Sequence, residues 1–209
     1  MDQTKLNLVK QVKALKIKKQ VDARLKQFKA LNKKSSKEWF SELCFCLLTA
    51  NWKAKESIEI QNELKYKGFS QHKQKQLQKY LKAKGHRFHP QRAERICLAR
   101  EHLDIKNKLK GKKDYQAREW LVEHIKGIGY KEASHFLRNV GYDDLAIIDR
   151  HILKVLYENN YLKEIPKTIT KKKYLEIENA LAKLAKQLKM TQAELDLYLW
   201  YIKTKKILK

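Results

Sequence analysis

Apolar residues recur at three- and four-residue intervals along nearly the whole chain, and no run alternates apolar and polar residues over the length of a strand. With only two prolines (Pro90, Pro166) and six glycines to interrupt it, that pattern predicts an all-α protein with at most short extended pieces. Val12, Leu15, Val21, Leu25, Phe28 and Leu31 fall at helical spacing and predict one long basic amphipathic helix, which breaks at Asn32-Lys33-Lys34-Ser35. Ser35, with Glu38 three positions later, has the capping-box pattern. It opens a stretch from Trp39 to Leu48 that is apolar on most sides and belongs in a core. Thr191 with Glu194 repeats the cap ahead of a last helix carrying Leu195, Leu197, Leu199 and Trp200. Pro90 stands where a first helical turn begins. The segments from Gly85 to His89 and from Lys106 to Asp114 read as loops, the second of them mobile and solvated.

At 209 residues with 43% hydrophobic and 10% aromatic content, the chain can bury a core as one domain or two small lobes. Lys and Arg number 48 against 23 Asp and Glu, a formal charge of +25, so a polyanion is the first partner to consider. The same charge fits a lysine-rich proteome equally well, because the lysines are spread over helix surfaces. Cys44, Cys46 and Cys97 are an odd number with no metal-site spacing; Cys44 and Cys46 read as buried small hydrophobes, and the set suits a reducing, intracellular setting. Lys5, Lys10, Lys13 and Lys16 break up the first segment, which gives neither a signal peptide nor a membrane helix, so a soluble cytoplasmic protein is expected.

The most informative segment is Ile125-Lys126-Gly127-Ile128-Gly129-Tyr130-Lys131, between the helical patterns of Trp120, Leu121 and Ile125 and of Ala133, Phe136 and Leu137. Gly127 and Gly129 let the backbone turn tightly and present amide N–H groups at the start of the next helix, where a phosphate of a DNA backbone binds. An isolated Gly-x-Gly is more often an ordinary turn. What changes the picture is Lys131 just beyond it and Asp149 eighteen residues later, after the apolar run Leu145 to Ile148. With these residues the chain resembles the helix-hairpin-helix DNA glycosylase superfamily. The blocks Phe45 to Asn51, Gly85 to Phe88, Lys131 to Asn139, Ile147 to His151 and Asp196 to Tyr201 are similar to the type 2 8-oxoguanine DNA glycosylase/lyases, and they span residues 45 to 201. One departure is Glu56-Ser57, where relatives tend to carry a glycine pair.

The resemblance implies the helix-hairpin-helix glycosylase fold, two helical lobes with the active-site cleft between them. One lobe covers 37–139 and the other joins 1–36 to 140–209. It also implies a monomer without metal or cofactor, acting on double-stranded DNA that contains an oxidised guanine. Lys131 is then the nucleophile at C1′ and Asp149 its acidic partner. A lysine amine attacks only when neutral, and at a free pKa of ~10.4 few are neutral at pH 7, so burial under DNA and cations such as Arg150 must favour the uncharged form. Asp149 steadies the cationic sugar and accepts a proton from Lys131.

A flipped base needs stacking surfaces, for which Trp200 and Phe88 are candidates, each with the alternative of plain core packing. Asp196 and the terminal carboxylate of Lys209 are candidate acceptors for guanine N1–H and N2–H₂. The alternative for the Lys209 tail is frayed solvent coating. His135 and Arg138, one and two turns past Lys131, are expected to reach phosphate, and His151 to pack near Asp149. Two rival functions remain at this level: a sibling glycosylase for another oxidised base, and a non-catalytic hairpin module that grips phosphate. The second leaves Asp149 unexplained, since a carboxylate beside phosphate repels it.

Overall fold

Twelve α-helices and one short 3-10 turn form the regular structure of the computed structural model, which describes residues 3–209 and side chains from Asn7 onward. In chain order they are α1 (Gln3–Ala14), α2 (Lys18–Asn32), α3 (Ser36–Thr49), α4 (Ala54–Gln71), α5 (Gln74–Ala83), α6 (His89–Ala99), α7 (Ile105–Leu109), α8 (Asp114–His124), α9 (Tyr130–Asn139), α10 (Arg150–Glu158), α11 (Lys171–Leu188) and α12 (Gln192–Thr204). No strand occurs among the described residues, as the periodicity requires. None of these helices is long and apolar enough to cross a membrane.

The buried apolar side chains fall into two groups. The first surrounds α3, whose Phe40, Leu43, Phe45, Leu47 and Leu48 pack against Ile60, Phe69, Leu77, Ile96, Leu121 and Phe136 of α4, α5, α6, α8 and α9. The second joins Val12, Val21 and Phe28 to Ile152, Leu156, Leu181, Leu184, Leu197 and Leu199. Each such Leu, Ile or Phe contributes roughly 2 kcal/mol by leaving water, so α3, buried on all sides, anchors its group. Its start is fixed by Ser35, whose Oγ accepts from the Lys37 N–H at 3.2 Å, and α12 starts likewise with Thr191 Oγ1 accepting from Glu194 N–H at 3.1 Å. The chain passes from the first group to the second between Leu145 and Ala146, in an extended segment that runs into Asp149.

The long first helix expected from the pattern is two helices. A straight helix would put Ile17 about 140° around the axis from Val12. The turn at Leu15–Ile17 brings both side chains into one core instead, with Ile17 and Val12 buried. The expected solvated loop after Lys106 is also corrected. Ile105 and Leu109, four apart, are fully buried and hold the short α7, leaving only Lys110 to Lys113 as connection. Glu56 and Ser57, at the place of the relatives' glycine pair, lie in the first turns of α4 with ordinary helical dihedrals. The left-handed conformation falls instead on Asn51 (φ 58°), a residue type that tolerates it.

His86, 1% exposed, is held at both ring nitrogens. Nε2 lies 3.1 Å from the Leu48 carbonyl and Nδ1 3.2 Å from the Phe88 N–H, so Nε2 carries the proton and Nδ1 must stay bare to accept. Burial, with the Arg92 charge nearby, lowers its pKa below the ordinary histidine value. The linked stability is therefore present above the unfolded value of about 6.5 and is lost as pH falls below it toward the folded value. The His86 ring resonances should titrate at lower pH than a free imidazole while the thermal midpoint declines from pH 7 to pH 5. A His86 titration centred near 6.5, roughly the free value, would contradict this account.

Candidate active site

The turn between α8 and α9 is pinned from below by buried Ile125 and Ile128. Gly127 adopts φ +91°, a conformation that L side chains rarely adopt, so glycine suits the turn; a Cβ there would also displace the Arg95 side chain. Gly129 is the N-cap of α9 and offers no side-chain cap, which leaves the first-turn amides of the helix without one. Lys131 sits in that first turn, partly exposed, with Nζ 2.8 Å from Glu132 Oε1.

Asp149 is the N-cap of α10. Its Oδ1 accepts from the N–H groups of His151 and Ile152, both at 2.8 Å, which fixes the carboxylate's orientation and leaves Oδ2 for another partner. His151 meets the edge of Trp200 with ring centroids 4.9 Å apart, so Trp200 of α12 lies beside the Asp149 turn; the indole Nε1 is buried without a hydrogen-bond partner.

A buried polar network joins α3, α4, the end of α9 and the last residue of the chain. Glu42, 3% exposed in the otherwise apolar α3, accepts from Asn139 Nδ2 at 2.7 Å, Gln61 Nε2 at 3.0 Å and Lys209 Nζ at 2.8 Å. Lys209 Nζ also bonds Gln61 Oε1 and lies 4.3 Å from the Phe45 ring centre. The segment after α12 is therefore docked across the molecule, with Arg24 additionally reaching the Ile207 carbonyl at 3.4 Å. His135 stands edge-on to Phe45, with ring centroids 5.6 Å apart and the Lys209 backbone nearby. Burial, then the charges of Arg138 and Lys131, push its pKa well below the ordinary histidine value, so the ring is neutral.

A sequence model described as 8-oxoguanine DNA glycosylase matches residues 21–190 of the chain. The 8-oxoguanine DNA glycosylase/AP lyase of Methanocaldococcus jannaschii is 53% identical over 206 residues, covering 97% of this chain and 99% of that protein. The chain belongs to the 8-oxoguanine DNA glycosylase family. The family's enzyme of the same name from Aquifex aeolicus is 50% identical over 177 residues, 81% of this chain and 78% of its own. The crystal structure of the M. jannaschii glycosylase/lyase with a 15mer DNA containing 8-oxoguanine superposes with a TM-score of 0.94 at 52% identity, over 97% of this chain and 99% of that one. That of the Thermotoga maritima 8-oxoguanine DNA glycosylase gives 0.93 at 41% identity, over 98% of this chain and 100% of that one.

In this 8-oxoguanine DNA glycosylase family member, one expected phosphate contact and one expected base contact point elsewhere. Arg138, 5% exposed, ion-pairs with Asp196 Oδ2, also bonds Asn139 Oδ1, and lies over the Phe28 ring. Its guanidinium is committed inward because Asp196 would otherwise be a buried, unpaired carboxylate. Asp196 is correspondingly spent on Arg138 and is not free for a guanine edge. Burial pushes its carboxyl up to about 6, against the pull of Arg138 and with the added charge of Asp149. His135 keeps part of its ring at the surface while its edge meets Phe45.

Phe88 is half-exposed, with the guanidinium carbons of Arg87 and Arg92 within 5.1 and 5.6 Å of its ring centre; Arg92 in turn bonds the Ala50 carbonyl. It belongs to the group at the end of α3. Residues the pattern did not reveal are Glu42, Phe45, Gln61 and Asn139. The available signal was Glu42 itself, an acid past the first turn of a helix apolar on most sides.

Proposed function

We infer that the chain removes 8-oxoguanine from double-stranded DNA and cleaves the resulting abasic strand, with Lys131 as nucleophile and Asp149 as its acidic partner. The observation that carries this is full-length likeness, at 53% identity, to a glycosylase/AP lyase whose fold is known with 8-oxoguanine DNA bound. It is joined by a lysine in the first turn after a Gly-x-Gly hairpin and an aspartate whose cap leaves one oxygen uncommitted.

The neutral Lys131 amine attacks C1′ as the C1′–N9 bond breaks, the base leaving with the bonding pair and taking up a proton. Asp149 Oδ2 stabilises the cationic sugar and accepts the proton that the attacking amine releases. Ring opening follows: O4′ leaves C1′ with a proton, and the nitrogen lone pair forms the iminium. That iminium acidifies C2′–H, whose proton is lost as the C3′–O bond breaks and the 3′ phosphate departs. One lysine thus supports both the glycosylase and the lyase step.

The hairpin around Gly127 and Gly129 grips the strand by its amide groups. Trp200 stacks on the extruded base beside Asp149, Phe88 is the second stacking residue, and Lys209 with Phe45 lines the same pocket. The two buried groups define two lobes that meet near Leu145 and Ala146, a few residues past the expected 139/140 boundary, and DNA enters between them.

A panel of duplexes tests the reading. Strand breakage without added alkali or lyase is expected at 8-oxoguanine. Preference for an oxidised pyrimidine would make the chain a glycosylase of different specificity, and breakage only after hot alkali would remove the lyase role.

A further inference from the structure

The segment Leu145 to Asp149 has no secondary structure of its own, yet it is buried up to Ile148, so its backbone polar groups must find side-chain partners. Three of them, the Ala146 N–H and carbonyl and the Ile148 N–H, are met by two side chains of one helix. Glu178 Oε1 accepts from the Ala146 N–H at 3.0 Å. Tyr174 donates its hydroxyl proton to the Ala146 carbonyl at 2.7 Å and accepts from the Ile148 N–H at 3.3 Å.

Both side chains come from α11, and both are tied to α8 and α9. Arg118 of α8, fully buried, grips Glu178 in a fork of 2.5 and 2.7 Å and donates to Ser134 Oγ at 3.3 Å. Ser134 stands 3.3 Å from the Tyr174 hydroxyl, to which its own proton is directed because the tyrosine proton is already given to Ala146. The Arg118 guanidinium is stacked over the rings of Tyr130 and Tyr174, at 5.0 and 5.5 Å. Outside this ring of bonds, Glu119 receives both the Tyr130 hydroxyl (2.6 Å) and Lys171 Nζ (2.8 Å).

The two ends of this set matter. Tyr130 and Ser134 flank Lys131 on α9, one just before it and one three residues after, on adjoining turns. Ala146 and Ile148 are the last anchored residues before Asp149. A buried, charge-assisted fork of planar arginine and carboxylate has one geometry, so it transmits position instead of merely joining surfaces.

We propose that Arg118, Glu178, Tyr174 and Ser134 form a clamp that sets the separation of Lys131 and Asp149, acting as positioning residues for the excision step. The proposal rests on the assignment of those two residues as the reacting pair. Misplacement by a fraction of an ångström lowers the rate of an oriented reaction without changing how the rest of the surface holds DNA. The clamp therefore affects the chemical step and leaves duplex affinity alone.

The test uses the full chain with Tyr174→Phe, which keeps the ring and deletes only the hydroxyl, and Glu178→Gln. Single-turnover excision of 8-oxoguanine under saturating enzyme and the Kd for the same duplex are measured well below each variant's thermal midpoint. The excision rate is expected to fall 10- to 100-fold while Kd stays within about 2-fold. Should Glu178→Gln not fold, Tyr174→Phe decides alone. An excision rate within about 2-fold of the wild type in folded Tyr174→Phe overturns the proposal, as does a parallel loss of rate and affinity. Failure of the underlying assignment shows separately, as Lys131→Gln that still forms a covalent adduct.

Discussion

Lys131→Gln is expected to abolish the borohydride-trapped adduct with 8-oxoguanine DNA and to lower both base excision and strand cleavage by at least about three orders of magnitude. The substitution removes the amine and leaves a slightly shorter, uncharged helix-forming side chain, so the helix and the hairpin stay intact. Duplex affinity should change only a few-fold, by about one charge contact among many in a chain of formal charge +25. Asp149→Asn separates the two tasks of the aspartate. Asparagine caps helices as well as aspartate does, so the bonds to the His151 and Ile152 amides and the thermal midpoint are retained. The negative charge is lost, and excision should slow by about 10²- to 10³-fold. An Asp149→Asn variant as fast as the wild type would confine Asp149 to capping α10.

Arg138→Met should be among the most destabilising single substitutions in the protein, at about 3–5 kcal/mol, because it strands the Asp196 carboxylate in an apolar surrounding. Replacing both partners with apolar residues of similar size, Arg138→Met with Asp196→Leu, should recover most of that loss in urea unfolding. This non-additivity distinguishes an internal ion pair from a DNA contact. A phosphate-binding arginine would instead leave stability unchanged and reduce the salt dependence of DNA affinity by about one charge.

The helices were legible because each keeps an apolar stripe at helical spacing, and the caps at Ser35 and Thr191 stand where the residue types put them. The break between α1 and α2 was not, since single apolar residues at helical intervals read the same whether or not the axis turns between them. α7 escaped notice because its two buried residues, Ile105 and Leu109, lie in a run of lysines. The local pattern of a glycine turn, a following lysine, and an aspartate after an apolar run put Lys131 and Asp149 at helix starts, where they stand in α9 and α10; their chemical roles rest on the family resemblance. The Glu42 network was not, because Lys209 meets Glu42 across 167 positions and only the folded chain brings them together. Arg138 was misread for a related reason. In so basic a chain an arginine near the hairpin resembles a phosphate ligand, and its partner Asp196 lies 58 positions away. An acid past the first turn of an apolar helix, as at Glu42 and Asp196, was the available sign of a buried pair in both cases.

The central claim is a covalent bond from one amine to the sugar. Wild-type protein trapped by borohydride on an 8-oxoguanine duplex, then digested and sequenced by mass spectrometry, reads that bond directly. The adduct is expected on Lys131 in the peptide that follows the hairpin. An adduct on any other lysine, or on the amino terminus, would contradict the account.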